Sequence, residues 1–181
     1  MPKTMRVGIC GAGPAGLTLA AILSREAEAG AIELKVFERG VAQRDQGSGW
    51  DMSKAALEAL SRAGVEPSTV QRQGSDTMRF YRTGGSRPDV CLRLPSYLKR
   101  WGVKKEDVGL DQMNLETERN LIIGGLIAQL GSEVVVQHNT NVCAARRKGN
   151  GVELLGANQE PLGDFDLVVD ASGVHSHIRG A

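Results

Sequence analysis

The residues best placed to do chemistry stand at the start of the chain. Gly11-x-Gly13-x-x-Gly16 is followed, 22 residues past its third glycine, by an acid, Glu38. Each part has a physical task in holding a dinucleotide. The first glycine makes a tight turn, the second lets a pyrophosphate approach the backbone, and the third lets a helix pack close to a sheet. A helix beginning here offers free N–H groups and a partial positive charge to phosphate, and Glu38 can accept hydrogen bonds from a ribose. Such spacing arises by chance in a glycine-rich chain, and this one has 23 glycines in 181 residues, against roughly 7% on average. Strand, glycine turn, helix and acid together carry the inference. An acid at this position disfavours the 2′-phosphate of NADP, while FAD and NAD share the remaining logic.

Other candidate groups point to no second chemistry. The cysteines, Cys10, Cys91 and Cys143, lie far apart and form no CxxC pair, which argues against a zinc site or a disulfide framework and suits a reducing, cytoplasmic setting. No metal is expected. His175 and His177 flank Ser176 and read as surface-turn residues; His138 reads as structural, at the end of a strand. Arg146-Arg147-Lys148 reads as a solvated hairpin tip, because a net charge of +1 provides no field for nucleic acid. Trp50 and Trp101 are too isolated to make a stacking platform. The apolar run from Val7 to Leu23 is shorter than the roughly 20 residues of a membrane span and is interrupted by glycines and a proline, so no transmembrane segment is expected. No residue is singled out as catalytic.

The elements that must position these residues follow from pattern. Met5 to Cys10 reads as a buried strand. A helix follows, with Pro14 in its first turn, where the missing N–H costs nothing, and Gly30 past its end. Ala31 to Phe37 reads as a second strand, completing a βαβ unit and implying a parallel sheet. After a polar loop, Gln43 to Gly49, a helix is predicted over Ser53 to Ala63. A hairpin is predicted from Thr77–Arg82 and Asp89–Leu94, a helix over Met113 to Leu130, and a strand over Glu133 to His138. Asn141–Arg147 pairs with Val152–Ala157 across Lys148-Gly149-Asn150-Gly151, where Asn-Gly is a favoured hairpin turn, and Phe165 to Asp170 is a last apolar strand.

The stretch VGICGAGPAGLTLAAIL, with LKVFERG after it, resembles the first fingerprint of the FAD-dependent aromatic hydroxylases, the single-component flavoprotein monooxygenases of the para-hydroxybenzoate or salicylate hydroxylase type. Three later segments are similar to that family in the same order. These are Gly47-Ser-Gly-Trp50 with the Ala56–Leu60 helix, Arg119-x-x-Ile122-x-x-x-Leu126, and Asp166-Leu-Val-Val-Asp-Ala-Ser-Gly-Val-His-Ser-His-Ile-Arg179. The resemblance implies a Rossmann-like α/β FAD-binding domain, incomplete, with a parallel sheet and a small antiparallel β meander. It implies FAD as cofactor, NAD(P)H as reductant and a small aromatic substrate. Carried onto this sequence, it places cofactor contacts at Gly11, Gly13, Ala15, Gly16, Glu38, Arg39, Gly49, Arg119, Val142 and Gly173. Residues 1–181 then form the cofactor domain, and 66–112 an insertion belonging to the substrate side.

Two departures qualify this. Ser172 stands where the family's second fingerprint has an aspartate, although Gly173 is kept; a serine brings no charge, which bears on reductant use. The chain also stops at Ala181, before the family's later Gly-Asp fingerprint. The expectation is therefore the N-terminal portion of a monooxygenase, with weak FAD affinity and no turnover alone. Two alternatives are an NAD-binding dehydrogenase-like module and a non-catalytic, truncated nucleotide-binding protein. The first lacks a Tyr-x-x-x-Lys pair, since neither Tyr81 nor Tyr97 has a lysine at that spacing.

Overall fold

The computed structural model describes residues 3–42, 49–73, 77–93, 96, 99–102 and 116–179. Strand β1 (Met5–Cys10) runs into helix α1 (Pro14–Glu28), which returns to β2 (Ile32–Phe37). Pro14 occupies the first turn of α1. At the other end Gly30 adopts φ 73°; its N–H bonds the Ala27 carbonyl, and the Ala31 N–H bonds that of Glu26. This is the paired closure that glycine permits past a helix end, and it turns the chain straight into β2. Strands β8 (Val135–Gln137) and β12 (Leu167–Asp170) complete a four-stranded sheet in the order β12-β1-β2-β8. Every pair in it is parallel, as the βαβ pattern predicts.

The sheet is covered on both faces. Ala20 and Ala27 of α1 pack on Val7, Ile9, Leu34 and Val36. The helix also turns Leu17 and Ala21 toward α2 (Lys54–Arg62) and α4 (Arg119–Ile127), where Leu57, Leu60, Ile122 and Leu126 close a second cluster. The small side chains of α1 let it touch sheet and helices at once. The antiparallel meander β9 (Ala144–Lys148), β10 (Gly151–Leu155) and β11 (Pro161–Phe165) contributes a third cluster, in which Leu154 and Phe165 join Cys10, Phe37 and Ile178. The Phe37 and Phe165 rings meet edge to face, with centroids 5.8 Å apart. Gly8 makes that approach possible, since a Cβ there would lie 3.1 Å from the Phe165 ring.

A smaller sheet, β3-β7-β4, joins β3 (Gly49–Asp51), β4 (Gln71–Gln73) and β7 (Glu116–Glu118). The short helix α3 (Pro67–Val70) leads into β4, and a separate hairpin pairs β5 (Thr77–Phe80) with β6 (Val90–Arg93). The expected loop over Gln43 to Gly49 lies outside the described residues except at Gly49.

Four expectations are corrected. The helix expected from Met113 begins at Arg119. Residues 113–115 lie outside the described residues, and Glu116–Glu118 is a strand held between β3 and β4, with the buried Thr117 hydroxyl donating to the Val70 carbonyl. The strand expected from Glu133 shortens to Val135–Gln137, the stretch paired with β2. The last apolar segment is two strands: Phe165 ends β11, and the Asp166 carboxylate takes the Arg6 N–H and the Lys3 ammonium, turning the chain into β12. The hairpin turn is Gly149-Asn150, because Lys148 pairs with Gly151 and Gly149 has φ 60°; glycine leads the two-residue loop.

Candidate functional site

The glycine turn lies at the carboxyl end of β1, between its two neighbours. Gly11 adopts φ 109°, and a Cβ on it would lie 2.5 Å from the Ala171 carbonyl oxygen, just past β12. Its N–H donates to the Phe37 carbonyl at the end of β2. A Cβ on Gly16 would lie 1.9 Å from the Gly11 oxygen, so the first turn of α1 rests directly on the loop. Gly13 is different. Its φ of −75° is open to any residue, and nothing lies within 4 Å of where its Cβ would stand. Two glycines thus close the turn, and the third leaves space beside the free N–H groups of α1.

Glu38 joins this turn to β2. One carboxylate oxygen accepts the Ala12 N–H at 2.9 Å, and the other accepts the Gly40 N–H at 2.7 Å. The acid therefore fixes the glycine loop before it meets any ribose, and each oxygen keeps a further lone pair for a ligand. The chain after β8 stays bonded to the same segment: Asn139 and Thr140 donate their N–H groups to the carbonyls of Gly40 and Glu38. That brings Thr140, Asn141 and Val142 alongside Glu38. A groove results. One side is formed by Gly11, Glu38 and Arg39, another by Thr140 to Val142, and a third by Ser172, His175 and His177, with Cys10 and Phe37 also lining it.

The turn after β12 is built on Asp170. Its carboxylate accepts the Ser172 N–H at 3.0 Å, the Ser172 hydroxyl, and the Ser176 hydroxyl at 2.6 Å. Burial pushes the Asp170 carboxyl up, but these bonds and the Arg179 charge together outweigh it and hold its pKa below the ordinary range. Cys10, at the end of β1, has its thiol pushed up to about 12, first by burial and then by the Asp170 charge. It stays protonated and packs as a small apolar group in the third cluster.

Of the residues expected to contact cofactor, Gly11, Glu38, Arg39 and Val142 meet at the groove. Gly13, Ala15 and Gly16 stand beside it at the start of α1. Gly173, with φ 86°, turns the chain next to Ser172. Gly49 and Arg119 adjoin one another elsewhere: Gly49 pairs with Glu118, and the half-buried Arg119 opens α4, the helix that packs on α1. His175 and His177, expected only as surface-turn residues, line the groove, and Asp170 was not among the expected contacts. The signal for Asp170 was local, an aspartate two residues before a serine, the spacing at which a carboxylate accepts a backbone N–H in a turn. Among the described residues, no group of three or more histidine, cysteine or acidic side chains is arranged to hold a metal.

Fold and site define a Rossmann-type α/β unit whose glycine turn and groove suit a dinucleotide. The comparisons with known proteins narrow the class. The chain is 29% identical over 179 residues to 3-amino-4-hydroxybenzoate 2-monooxygenase PtnB3 of Streptomyces platensis, covering 96% of this chain and 41% of that protein. The crystal structure of 2-methyl-3-hydroxypyridine-5-carboxylic acid oxygenase matches with a TM-score of 0.68 at 20% identity, over 98% of this chain and 42% of that one. The 2,6-dihydroxypyridine-3-hydroxylase of Arthrobacter nicotinovorans matches at 0.67 and 19%, over 99% and 39%. HpxO of Klebsiella pneumoniae, complexed with FAD, matches at 0.62 and 18%, over 97% and 41%. No protein-family profile matches the chain. The resemblance to the aromatic hydroxylases is thus found in sequence and in fold, and the chain spans about two fifths of the length of the proteins it resembles.

Proposed function

We propose that this chain is the FAD-binding region of an NAD(P)H-dependent flavoprotein monooxygenase that hydroxylates a small aromatic or similar organic substrate. The observation that carries the reading is the open space at Gly13, beside the start of α1 and next to a turn that Glu38 clamps to β2. A pyrophosphate fits there because the backbone can be approached and the helix end favours its charge. Reduced flavin, when bound, supplies the chemistry that activates O2 for hydroxylation.

The chain's own residues bind and orient. Glu38 holds the loop and offers its remaining lone pairs to the ribose. Arg39 and Val142 line the groove beside it. Gly11, Ala15 and Gly16 set the loop and helix start, Gly173 sets the turn after β12, and Gly49 with Arg119 contacts the cofactor from the small sheet and α4. Ser172, standing where the family carries an aspartate, is bonded to Asp170, so negative charge is still present at this turn, one step removed. Residues 66–112 belong to the substrate side of the whole enzyme; their described part includes the hairpin β5–β6, which leaves Phe80, Val90 and Leu92 exposed.

The test is FAD binding by the purified protein. It should take up FAD and turn yellow, with affinity lost on Gly13→Val. Protein that stays colourless and ignores added FAD would sink the reading, and a thermal shift with NAD but none with FAD would favour the dehydrogenase-like module. These 181 residues alone should show no substrate-dependent NAD(P)H oxidation with product formation. The soluble, cytoplasmic setting belongs to the same proposal; among the described residues no helix is long and apolar enough to cross a membrane.

A further inference from the structure

Every residue of the hairpin β5–β6 from Arg79 to Arg93 is exposed, and none belongs to the three buried clusters. The turn itself is closed. The Gly85 N–H donates to the Arg82 carbonyl and the Asp89 N–H to the Phe80 carbonyl, each at 2.8 Å, and Arg82 pairs with Asp89 at 3.3 Å. The strands stand in the register Thr77↔Arg93, Arg79↔Cys91 and Phe80↔Val90, and residues directly opposite share a face. The two faces therefore differ. One carries Phe80, Val90 and Leu92; the other carries Arg79, Cys91 and Arg93. Asp89 is the one acid between Thr77 and Arg93 in the sequence, and Arg82 takes it. Among the described residues, neither Arg79 nor Arg93 meets a carboxylate.

A lone two-stranded hairpin is marginally stable in water, and an open edge is a row of backbone groups ready to pair. Among the described residues this sheet has two strands, so β6 keeps one edge open, and all four of its residues are exposed. A strand laid along that edge sends successive side chains to opposite faces. On one face they continue the row of Phe80, Val90 and Leu92. On the other they stand beside Arg93 and Cys91, and Cys91 is small enough to leave Arg79 within reach behind it. Unpaired arginines there favour carboxylates.

We propose that the open edge of β6 receives an added strand in which apolar and acidic side chains alternate, supplied by the longer enzyme's polypeptide outside these 181 residues. The chemistry of the strand follows from the hairpin. Its source rests on the reading of the chain as a region of a longer monooxygenase, since it spans about two fifths of the proteins it resembles. A second copy of the hairpin is a poor occupant. With the apolar rows aligned, β6 against β6 would gather the arginines of both copies on one face with no acid between them, and like charges set opposite repel.

Two short, end-blocked peptides test this, one alternating valine with glutamate and the other valine with lysine. The glutamate peptide should bind about fivefold more tightly, with the gap shrinking at high salt. It should also slow amide hydrogen exchange across Val90–Arg93. The R79E/R93E variant changes only exposed side chains, so it should unfold at the wild-type temperature and keep its FAD affinity, yet prefer the lysine peptide. Equal binding of the two peptides, an unchanged preference in R79E/R93E, or protection that misses β6 would overturn the added strand and leave the FAD reading standing. If FAD fails to bind while the peptides are still told apart, the FAD reading falls and the strand chemistry stands. The source is tested on the gene product purified from its native cells. There the β6 amides should be protected without peptide, and added glutamate peptide should not bind. Free exchange at β6 in that product, with the peptide still taken up, would overturn the assigned source.

Discussion

The three glycines of the first turn share a spacing and have different jobs, which substitution should separate. At Gly16 a Cβ would stand 1.9 Å from the Gly11 carbonyl oxygen, so Gly16→Ala must push α1 off the loop. Overpacking of this kind costs about 1–3 kcal/mol, and thermal unfolding should register it. At Gly13 a Cβ meets nothing within 4 Å and φ is −75°, so Gly13→Ala should cost less than about 1 kcal/mol yet abolish FAD binding. Unchanged FAD affinity in a folded Gly13→Ala protein would remove the phosphate from this site. Asp170 makes a second prediction. Its pKa lies below the ordinary carboxylate range in the folded state, so its contribution to stability is present above the unfolded value, near 3.9, and is lost as pH falls through the folded one. Unfolding temperatures followed from neutral to acid pH should therefore drop less steeply at the acid end in Asp170→Asn than in the wild type. Equal slopes would show that the Ser172 and Ser176 bonds contribute nothing to folding.

Among the elements, those with local punctuation were legible and those made by pairing were not. Helix α2 was readable because Ser53 caps it, accepting the Ala56 N–H at 3.2 Å, and Gly64 ends it at φ 84°. Removing the cap with Ser53→Ala should cost about 1 kcal/mol, measured by denaturant unfolding; a change within error would mean that burial of Leu57 and Leu60 alone fixes the helix start. Strand β7 carried no such signal. Glu116-Thr117-Glu118 sits in a sequence of helical period, and only pairing with β3 on one side and β4 on the other makes it extended. Long-range contacts overrode local preference there. Strand β11 was missed for a related reason, since Pro161 and Gly163 weaken its pattern and pairing with β10 supplies what the pattern lacks. The turn Gly149-Asn150 shows register deciding between two adjacent candidates, because one residue of slip would reverse every side chain of β10.

At the scale of the whole molecule, an aromatic contact lies inside the cluster that joins the meander to the sheet. Phe165 is 5% exposed and meets Phe37 edge to face, with Gly8 leaving room. Phe165→Ala should cost about 3–5 kcal/mol, read from chemical denaturation. It should also weaken FAD binding, because the same cluster holds Ile178 and so the groove's third wall. A loss of stability with binding intact would show that this wall is anchored by Asp170 alone. The βαβ unit, the glycine turn and the acid at the end of β2 were legible in the residues themselves, since these depend on neighbours close in the chain and on backbone geometry that few residue types permit. Tertiary structure alone decided that Glu38 clamps the glycine loop, that Asp170 organises the turn after β12, and that His175 and His177 face the same groove as Arg39. Strand β12 comes from a part of the chain distant from β1 and β2, and the parallel sheet brings all three carboxyl ends to one edge. The spacing of those segments along the sequence carries no record of which side chains meet there.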